Sequence, residues 1–399
     1  MNYMAIHILN NLVLIVFWGS LLALIYVYYG YSAIVHVLAA IKTDTCHPAV
    51  VGVERSFAII IAVHNEESAI ESRLQNLLDL DYPPDRRQIW VACDGCTDAT
   101  AVVAGQFAEQ GVCVINFPQN RGKAAVHNDV VVLVQADILL FTDAETIFAP
   151  DFLRVLDRYF ADSRNGCGSG DLTLQPQSGI GEAEFRYWEY EKSIRYDEYR
   201  LGVLPFASGA CLAIRRELYR PIPLYSAEDN YLCYTVPADG YRVFYAKEAC
   251  CQDWSIPDSS RHYRKRYRTA LKSLQGAMGC VSGLARNRCW GVLWALVSHR
   301  LFRWQSGFLL ALMLLSNFLL LDWGGSLYHV TFIVQLLGYL AAICGWWLDG
   351  RRHVNSLTKP FIFAYSFVLA NIAFCHAVLH SLAGKRLYQY RPARQNEIS

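Results

Sequence analysis

A long segment without charged residues at the start of the chain sets the strongest limit on what it can fold into. The segment runs from Ile8 to about Leu38, and the first Asp, Glu, Lys or Arg is Lys42. About 20 apolar residues suffice to cross a bilayer. A cleaved signal peptide would be shorter and would start with basic residues. Residues 1–42 are therefore predicted to hold a transmembrane helix.

Three further apolar stretches follow near the other end of the chain, at about Trp304–Leu321, Tyr328–Leu348 and Pro360–Leu382. With the first segment they raise the hydrophobic content to 54% and leave only 18% charged residues, which is too apolar for an ordinary soluble enzyme. Residues 304–384 are thus expected to form about three transmembrane helices, and the predicted number of spans is four.

The positions of basic residues predict which side of the membrane the central block occupies. Residues 50–260 are rich in Lys and Arg, which favours the cytosolic side of a cytoplasmic membrane. A loop after the third span also fits that side, with Arg351, Arg352 and Lys359. The basic tail, residues 385–399, would then lie outside, with Lys385, Arg386, Arg391 and Arg394. Either one C-terminal stretch is interfacial or re-entrant, or the positive-inside rule fails here.

Net charge and cysteine usage exclude other classes of protein. A formal net charge of +1 does not indicate a nucleic-acid partner. The 13 cysteines are scattered, and the CxxC of Cys93 and Cys96 has no second CxxC to complete a zinc site. Free thiols in a reducing cytosol are expected.

Predicted strands and helices alternate through the central block. The apolar run Phe57–Val63 predicts a buried strand, and further strands are predicted in QIWVACDG, GVCVINF and DILLFTDAE. Segments with helical spacing of apolar residues separate these strands. This alternation predicts an α/β fold for residues 50–260, with a doubly wound, mostly parallel, Rossmann-like sheet.

Carboxylates follow several of these strands. Asp94 ends the second strand, Asp143 and Glu145 end the fourth, and Glu228–Asp229 come later in LYSAEDNYL. The carboxyl ends of parallel strands form the crevice in which α/β sheets bind ligands. Asp143 and Glu145 share one strand face and suit a hard cation such as Mg²⁺ or Mn²⁺. The alternative is a capping Asp beside a solvated Glu.

Two other features leave alternatives open. Residues 181–200 are predicted to be helical, either as a surface helix with salt-bridged faces or as a helix near the membrane surface and an acceptor groove. His376 and His380 have a spacing that suits metal ligation, but without a third ligand hydrogen bonding between helices is favoured.

The order of motifs between Phe57 and Trp304 resembles the family 2 glycosyltransferases. The matching segments are IIIAVHNEE, CDGCTDAT, RGKAAVHN, FTDAET, SGACLAIRRELYRPIP with AEDN, GYRVFYAKEA and SHRLFRW. The similarity is to the membrane-integrated, polysaccharide-synthase-like branch, and the ordered set is far more specific than any one motif. It implies a GT-A fold that binds a nucleoside-diphosphate sugar, with UDP as the expected nucleotide.

Two departures from the family pattern affect the expected activity. The DxD-type motif reads Asp143-Ala-Glu145, and the longer glutamate arm alters how a metal would be held. Where processive relatives carry Q-x-x-R-W, this chain has RKRYR at residues 264–268, closer to a basic RRKVR-like variant. The second departure puts processive synthesis in doubt.

The resemblance assigns roles to individual residues. Asp229 is the expected catalytic base, with Glu228 beside it, and a metal would be held by Asp143 and Glu145. The expected donor-binding residues are Asn65, Glu66, Asp94, Lys123, Asp143, Arg264 and Arg268. In the basic and amphipathic membrane-interface region 261–303, Arg264 and Arg268 of the run RHYRKRYR are expected to aim at the diphosphate, while the other basic residues of this run face lipid head groups.

These expectations describe an inverting hexosyl- or N-acetylhexosaminyltransferase in the membrane. It would act on a polysaccharide or lipid-linked saccharide, with export partners needed for secretion. A polyprenyl-phosphate sugar synthase is the alternative enzyme, although an acceptor phosphate needs no strong base. The alternative from another class is a catalytically silent scaffold that pairs with an active synthase.

Overall fold

The computed structural model describes residues 3–42, 53–175, 179–256, 258–349 and 356–388. The expectations for Arg351, Arg352, Arg391 and Arg394 lie outside these ranges. Within them the strands are β1 (Phe57–Val63), β2 (Arg87–Asp94), β3 (Val112–Phe117), β4 (Ile138–Thr142), β5 (Ile147–Phe148), β6 (Asn165–Gln175), β7 (Cys211–Arg215) and β8 (Arg242–Trp254).

Helices flank this sheet and form both ends of the described chain. They are α1 (Tyr3–Ile25), α2 (Tyr31–Ile41), α3 (Glu67–Leu78), α4 (Thr100–Gly105), α5 (Lys123–Leu133), α6 (Phe152–Phe160), α7 (Ile180–Leu201), α8 (Glu228–Ala238), α9 (Ser259–Arg286), α10 (Trp290–Ala295), α11 (Phe302–Trp304), α12 (Ser306–Leu320), α13 (Ser326–Leu348) and α14 (Lys359–Leu382). π-Helical turns at Tyr26–Gly30 and Leu296–Leu301 join α1 to α2 and α10 to α11.

The strands form one mixed sheet in the order β3-β2-β1-β4-β7-β6-β8-β5. β1 to β4 are parallel, β7 is antiparallel to β4 and β6, and β5 is antiparallel to β8. Because β6 and β8 are parallel to each other, six strands of this sheet share one direction and β5 and β7 oppose it. The predicted mostly parallel α/β sheet is confirmed.

Strand register places the predicted functional segments at one edge of the sheet. Val63 of β1 pairs with Cys93 of β2, and Ile61 pairs with Thr142 of β4, so these strands end side by side. Thr142 also pairs with Cys211, the first residue of antiparallel β7. The loop before β7 therefore meets the loop after β4.

Three described helical segments are long and apolar enough to cross a membrane: His7–Ile41, Ser326–Leu348 and Lys359–Leu382. The fourth predicted stretch forms α12, which has 15 residues. At 1.5 Å per residue α12 is roughly 22 Å long, shorter than the ~30 Å hydrocarbon core of a bilayer. All four apolar stretches are thus helical, and three of them have spanning length.

Both ends of α14 contact the α/β domain and its extensions. At its start, Lys359 forms an ion pair with Glu182 of α7, with 2.8 Å between Nζ and Oε1. Just beyond its end, the Lys385 carbonyl accepts a hydrogen bond from Gln275 of α9, and the Arg386 guanidinium lies 4.5 Å from the centre of the Tyr225 ring. Helix α14 therefore lies along the domain over its whole length.

Two hydrogen bonds join α9 to the C-terminal part of α14. Tyr263 pairs with His376 at 2.5 Å, and Tyr267 pairs with His380 at 2.7 Å. The two histidines also face each other, with 3.1 Å between their Nε2 atoms. These contacts are the hydrogen bonds between helices that were favoured over metal ligation for His376 and His380.

Candidate functional site

Asp94 connects the end of β2 to the start of α5. Its carboxylate oxygens accept hydrogen bonds from the backbone N–H groups of Arg121 and Gly122, each at 2.8 Å. Gly122 has a φ of +93°, which favours glycine, and Lys123 is the first residue of α5. Asp94 thus fixes the turn that places Lys123.

The loop after β1 is also held by hydrogen bonds to a neighbouring loop. Asn65 has a φ of +57° and its Oδ1 accepts a hydrogen bond from the Thr97 backbone N–H at 2.8 Å. Glu66 directly precedes α3, and its backbone N–H donates to the Thr100 hydroxyl. Asn65, Glu66 and Asp94 therefore lie together at the ends of β1 and β2, and their donor-binding roles stay predictions.

Lys123 joins three separate motifs. Its ammonium lies 2.8 Å from Asp143 Oδ1, just after β4, and 2.6 Å from Glu228 Oε1, at the start of α8. Burial would lower the pKa of Lys123, but the two carboxylates outweigh burial and raise it, so the ammonium stays charged. The side chain is 14% exposed. This buried cation brings the fourth strand end and the AEDN segment into one site.

Glu228 and Asp229 have opposite electrostatic environments. Burial would raise the pKa of Glu228, but the adjacent Lys123 ammonium lowers it to about 2. Burial and the neighbouring Glu228 charge raise the pKa of Asp229 to about 6. Two adjacent carboxylates whose pKa values are driven apart are typical of a site in which one is fixed as an anion and the other exchanges protons.

The Asp229 carboxylate has one engaged oxygen and open space near the other. Oδ1 accepts a hydrogen bond from Asn230 at 2.7 Å. Gly209 lies against the carboxylate, and a Cβ atom at that position would come within 3.6 Å of Oδ2. The Thr142 hydroxyl holds the adjacent loop by donating to the Ala210 carbonyl. The small residues before β7 thus leave room beside Asp229.

These groups line a cavity of 280 Å³, which we call the polar cavity. Its wall contains Lys123, Asp143, Glu228 and Asp229, together with Ser208, Gly209 and Ala210. Helix α9 adds basic side chains: Lys265, Arg266, Arg268 and Lys272. The cavity thus combines carboxylates with several basic side chains, and the basic side chains of α9 can bind a diphosphate.

The structure separates the two arginines that were predicted to act together. Arg268 lines the polar cavity, whereas Arg264 is exposed and is not among the lining residues. The prediction that the rest of the basic run faces lipid is wrong for Lys265 and Arg266, which also line the cavity. Lys265 pairs with buried Glu184 of α7 at 3.1 Å, so this contact holds the Lys265 side of α9 at the site.

A metal would have two carboxylate ligands here. Asp143 lines the cavity and its side chain is 41% exposed, and half-buried Glu145 follows two residues later. Among the described residues, no three His, Cys, Asp or Glu side chains are grouped to hold a metal ion. Glu145 is not among the residues that line the cavity, and a cation held by this pair, with its shell completed by substrate phosphates and water, stays a prediction.

Helix α7 forms a wall of the site, and its interpretation as a solvated surface helix is wrong. Glu191 and Glu198 are buried and flank the buried His299 ring, at 3.2 Å and 2.8 Å. Arg303 contacts Glu191, and Tyr31 of α2 donates a hydrogen bond to Glu198 at 2.5 Å. This network connects the N-terminal helices to the cavity.

The SHRLFRW segment contributes cavity residues to which sequence analysis assigned no role. Arg300, Arg303 and Trp304 line the polar cavity. Arg300 stacks on Phe206 at 3.6 Å, and Arg195 lies between Trp188 and Phe206, at 4.3 and 4.7 Å. The motif match was a visible signal in the sequence, but only the folded chain shows that these arginines line the same cavity as Asp229.

Comparisons with known proteins agree with this geometry. The family model described as "Glycosyl transferase family 2" matches residues 58–222. The chain is 30% identical to a beta-monoglucosyldiacylglycerol synthase of Synechocystis over 33% of this chain and 27% of that protein. It is 26% identical to an N-acetylglucosaminyltransferase of Rhizobium leguminosarum over 56% of this chain and 57% of that protein. The chain thus spans about a quarter to somewhat over half of these relatives.

A solved structure shares the fold over nearly the whole chain. The mannosyltransferase PcManGT from Pyrobaculum calidifontis, determined with GDP-Man and Mn²⁺, has a TM-score of 0.68 and 18% sequence identity. The match covers 94% of this chain and 99% of that one. The fold of the α/β domain is therefore of the GT-A type.

Removal of the Lys123 charge is expected to destabilise the fold most strongly at high pH. In Lys123→Gln, Glu228 loses its cation, and breaking such a buried pair costs about 3–5 kcal/mol in the free energy of unfolding. In the wild type, the depressed pKa of Glu228 stabilises the fold above the unfolded value, and this contribution fades as pH falls through about 2. The variant lacks it, so its deficit should stay constant from pH 8 to pH 5 and shrink as the pH falls from about 4.5 towards 2.

Arg121→Gln is the matched control, measured by denaturation in the same detergent. Arg121 pairs with Asp129 at the surface, and such pairs contribute about 0–1 kcal/mol. An equal and pH-independent loss in both variants would contradict the role given to Lys123.

Proposed function

We propose that this chain, whose residues 58–222 match the glycosyl transferase family 2 model, is a membrane-bound, inverting glycosyltransferase. It would move a hexosyl or N-acetylhexosaminyl group from a nucleoside-diphosphate sugar, with UDP as the expected nucleotide, to a hydroxyl group of a saccharide or lipid acceptor. The observation that carries the proposal is Asp229, whose pKa is raised to about 6 in a cavity that also presents Lys123 and Asp143.

The reaction needs a base, a site for the leaving group and a place for the acceptor. Asp229 would take the acceptor proton while the acceptor oxygen bonds to the anomeric carbon. The bond from that carbon to the diphosphate breaks on the opposite face, which inverts the configuration. Arg268 and Lys272 are placed to receive the negative charge that develops on the diphosphate.

Asp143 and Glu145 would hold a divalent cation on the donor diphosphate. A bound Mg²⁺ or Mn²⁺ would neutralise phosphate charge and orient the leaving group. Asn65, Glu66 and Asp94 lie beside this position, at the ends of β1 and β2, and would frame the nucleoside. The donor would then extend from these strand ends past Asp143 toward Asp229.

The contacts of α14 support a membrane topology with three spans in place of the four expected from hydropathy. Both ends of α14 contact α7, α9 or their neighbours, and these charged helices would remain outside the bilayer. We propose that α14 lies at the interface while the N-terminal helix, α12 and α13 cross, with the bilayer thinned locally around α12, which is roughly 22 Å long. Lys359 and Lys385 then lie on the cytosolic side with the α/β domain, as the positive-inside rule requires.

Asp229→Asn is expected to abolish sugar transfer and leave donor binding nearly intact. The amide cannot accept the proton, and loss of a general base costs about 10²–10⁴-fold in rate. Nucleotide release from a panel of UDP-, GDP- and TDP-sugars measures the effect. Asp239→Asn, at the other end of α8 and paired with Arg220 at the surface, is the matched control and should keep the wild-type rate. Wild-type turnover by the Asp229 variant would contradict the assignment.

Asp143→Ala is expected to remove most of the gain in nucleotide affinity that Mn²⁺ provides. The variant loses one of two protein ligands, so calorimetric titration of UDP with and without Mn²⁺ should give nearly equal affinities. Asp129→Ala, on the exposed side of α5, should retain the metal-dependent gain. A wild-type UDP affinity that is the same with and without metal would contradict the site.

A further inference from the structure

A second and mainly apolar cavity adjoins the polar cavity. It has a volume of 610 Å³, within the range of about 300–1,000 Å³ that is typical of small-molecule sites. Its apolar wall is formed by the N-terminal helix, with Leu24 and Tyr28, and by α14, with Phe363, Phe367 and Ala370. We call it the apolar cavity. It lies between a helix of spanning length and the helix that borders the α/β domain.

The two cavities share part of their walls. Glu184, Tyr187, Arg266, Arg303 and Phe374 line both of them. An occupant of the apolar cavity therefore has its other end at the polar cavity, where Asp229 is found. Such an occupant must combine a long apolar part with a polar head.

Arg303 gives the second, independent observation. The residue is 3% exposed and lies at the boundary between the cavities. Its Nη1 group binds the Tyr187 hydroxyl and contacts Glu191, but its Nε and Nη2 groups have no hydrogen-bond partner. Buried guanidinium N–H groups without acceptors are costly, and an oxygen-rich head group would satisfy them.

From this geometry we propose that the acceptor is a membrane lipid whose hydrocarbon chain occupies the apolar cavity. Its head group would bind Arg303 and extend its accepting oxygen toward Asp229. The inference rests on the proposed transferase function and names the class of acceptor for that site. A soluble oligosaccharide has no apolar part that would fill the space beside Tyr28 and Phe367.

Lipid occupancy can be tested without turnover, so its result does not depend on transferase activity. The full-length protein in phosphatidylcholine nanodiscs is photolabelled with a diacylglycerol that carries a diazirine in one acyl chain. Peptides that contain Tyr28 should be labelled, and Ala370→Trp should reduce this labelling about tenfold because the indole would occupy space in the apolar cavity that the acyl chain needs. Ile372→Trp, on the exposed face of the same helix, is the control and should not change it.

Transfer is measured on the same samples with a hydroxyl lipid and with a polyprenyl phosphate, and nucleotide binding verifies that each variant is folded. Ala370→Trp should lose transfer to whichever lipid the wild type accepts, again about tenfold, whereas Ile372→Trp should not. Equal labelling in both variants would overturn the proposal. Transfer to soluble saccharide alone, or lipid transfer that Ala370→Trp leaves unchanged, would overturn it too. Absence of any nucleotide-sugar binding would instead remove the proposed function.

Discussion

The Lys123 ammonium between Asp143 and Glu228 is the interaction on which the site depends. The three residues come from the start of α5, the end of β4 and the start of α8, and the cation offsets the repulsion between these two carboxylates. Lys123 fixes Glu228 as an anion, and the Glu228 charge in turn raises the pKa of Asp229. The same group of charges around Lys123 therefore affects both the stability of the fold and the proton affinity of Asp229, the proposed base.

A second charge network connects the membrane portion to this site. Glu198 binds Tyr31, and His299 bridges Glu198 and Glu191, which contacts Arg303 at the boundary of the two cavities. The N-terminal helix and the SHRLFRW segment are thus held against α7 by buried polar contacts. These contacts hold the apolar cavity beside the polar cavity that contains Asp229, as the proposed reaction between a soluble donor and a lipid acceptor would require.

Sequence patterns predicted the parts of the site that are set by local structure. The ends of β1, β2 and β4 were predictable because apolar runs define buried strands and parallel register aligns their carboxyl ends. The choice between Arg264 and Arg268 was not predictable, because the pairing of Lys265 with Glu184 sets how α9 is oriented. The position of α14 along the α/β domain was not predictable either. Hydropathy reports that α14 is apolar, but it does not reveal the ion pair between Lys359 and Glu182.

The pH dependence of sugar transfer in the wild type and in Glu228→Gln tests the central claim most directly. Asp229 accepts a proton only in its ionised form, so the wild-type rate should fall below a pH of about 6. Glu228→Gln removes the negative neighbour that raises the pKa of Asp229, so the fall should move to lower pH. A fall that stays in place or moves to higher pH in this variant would contradict the account.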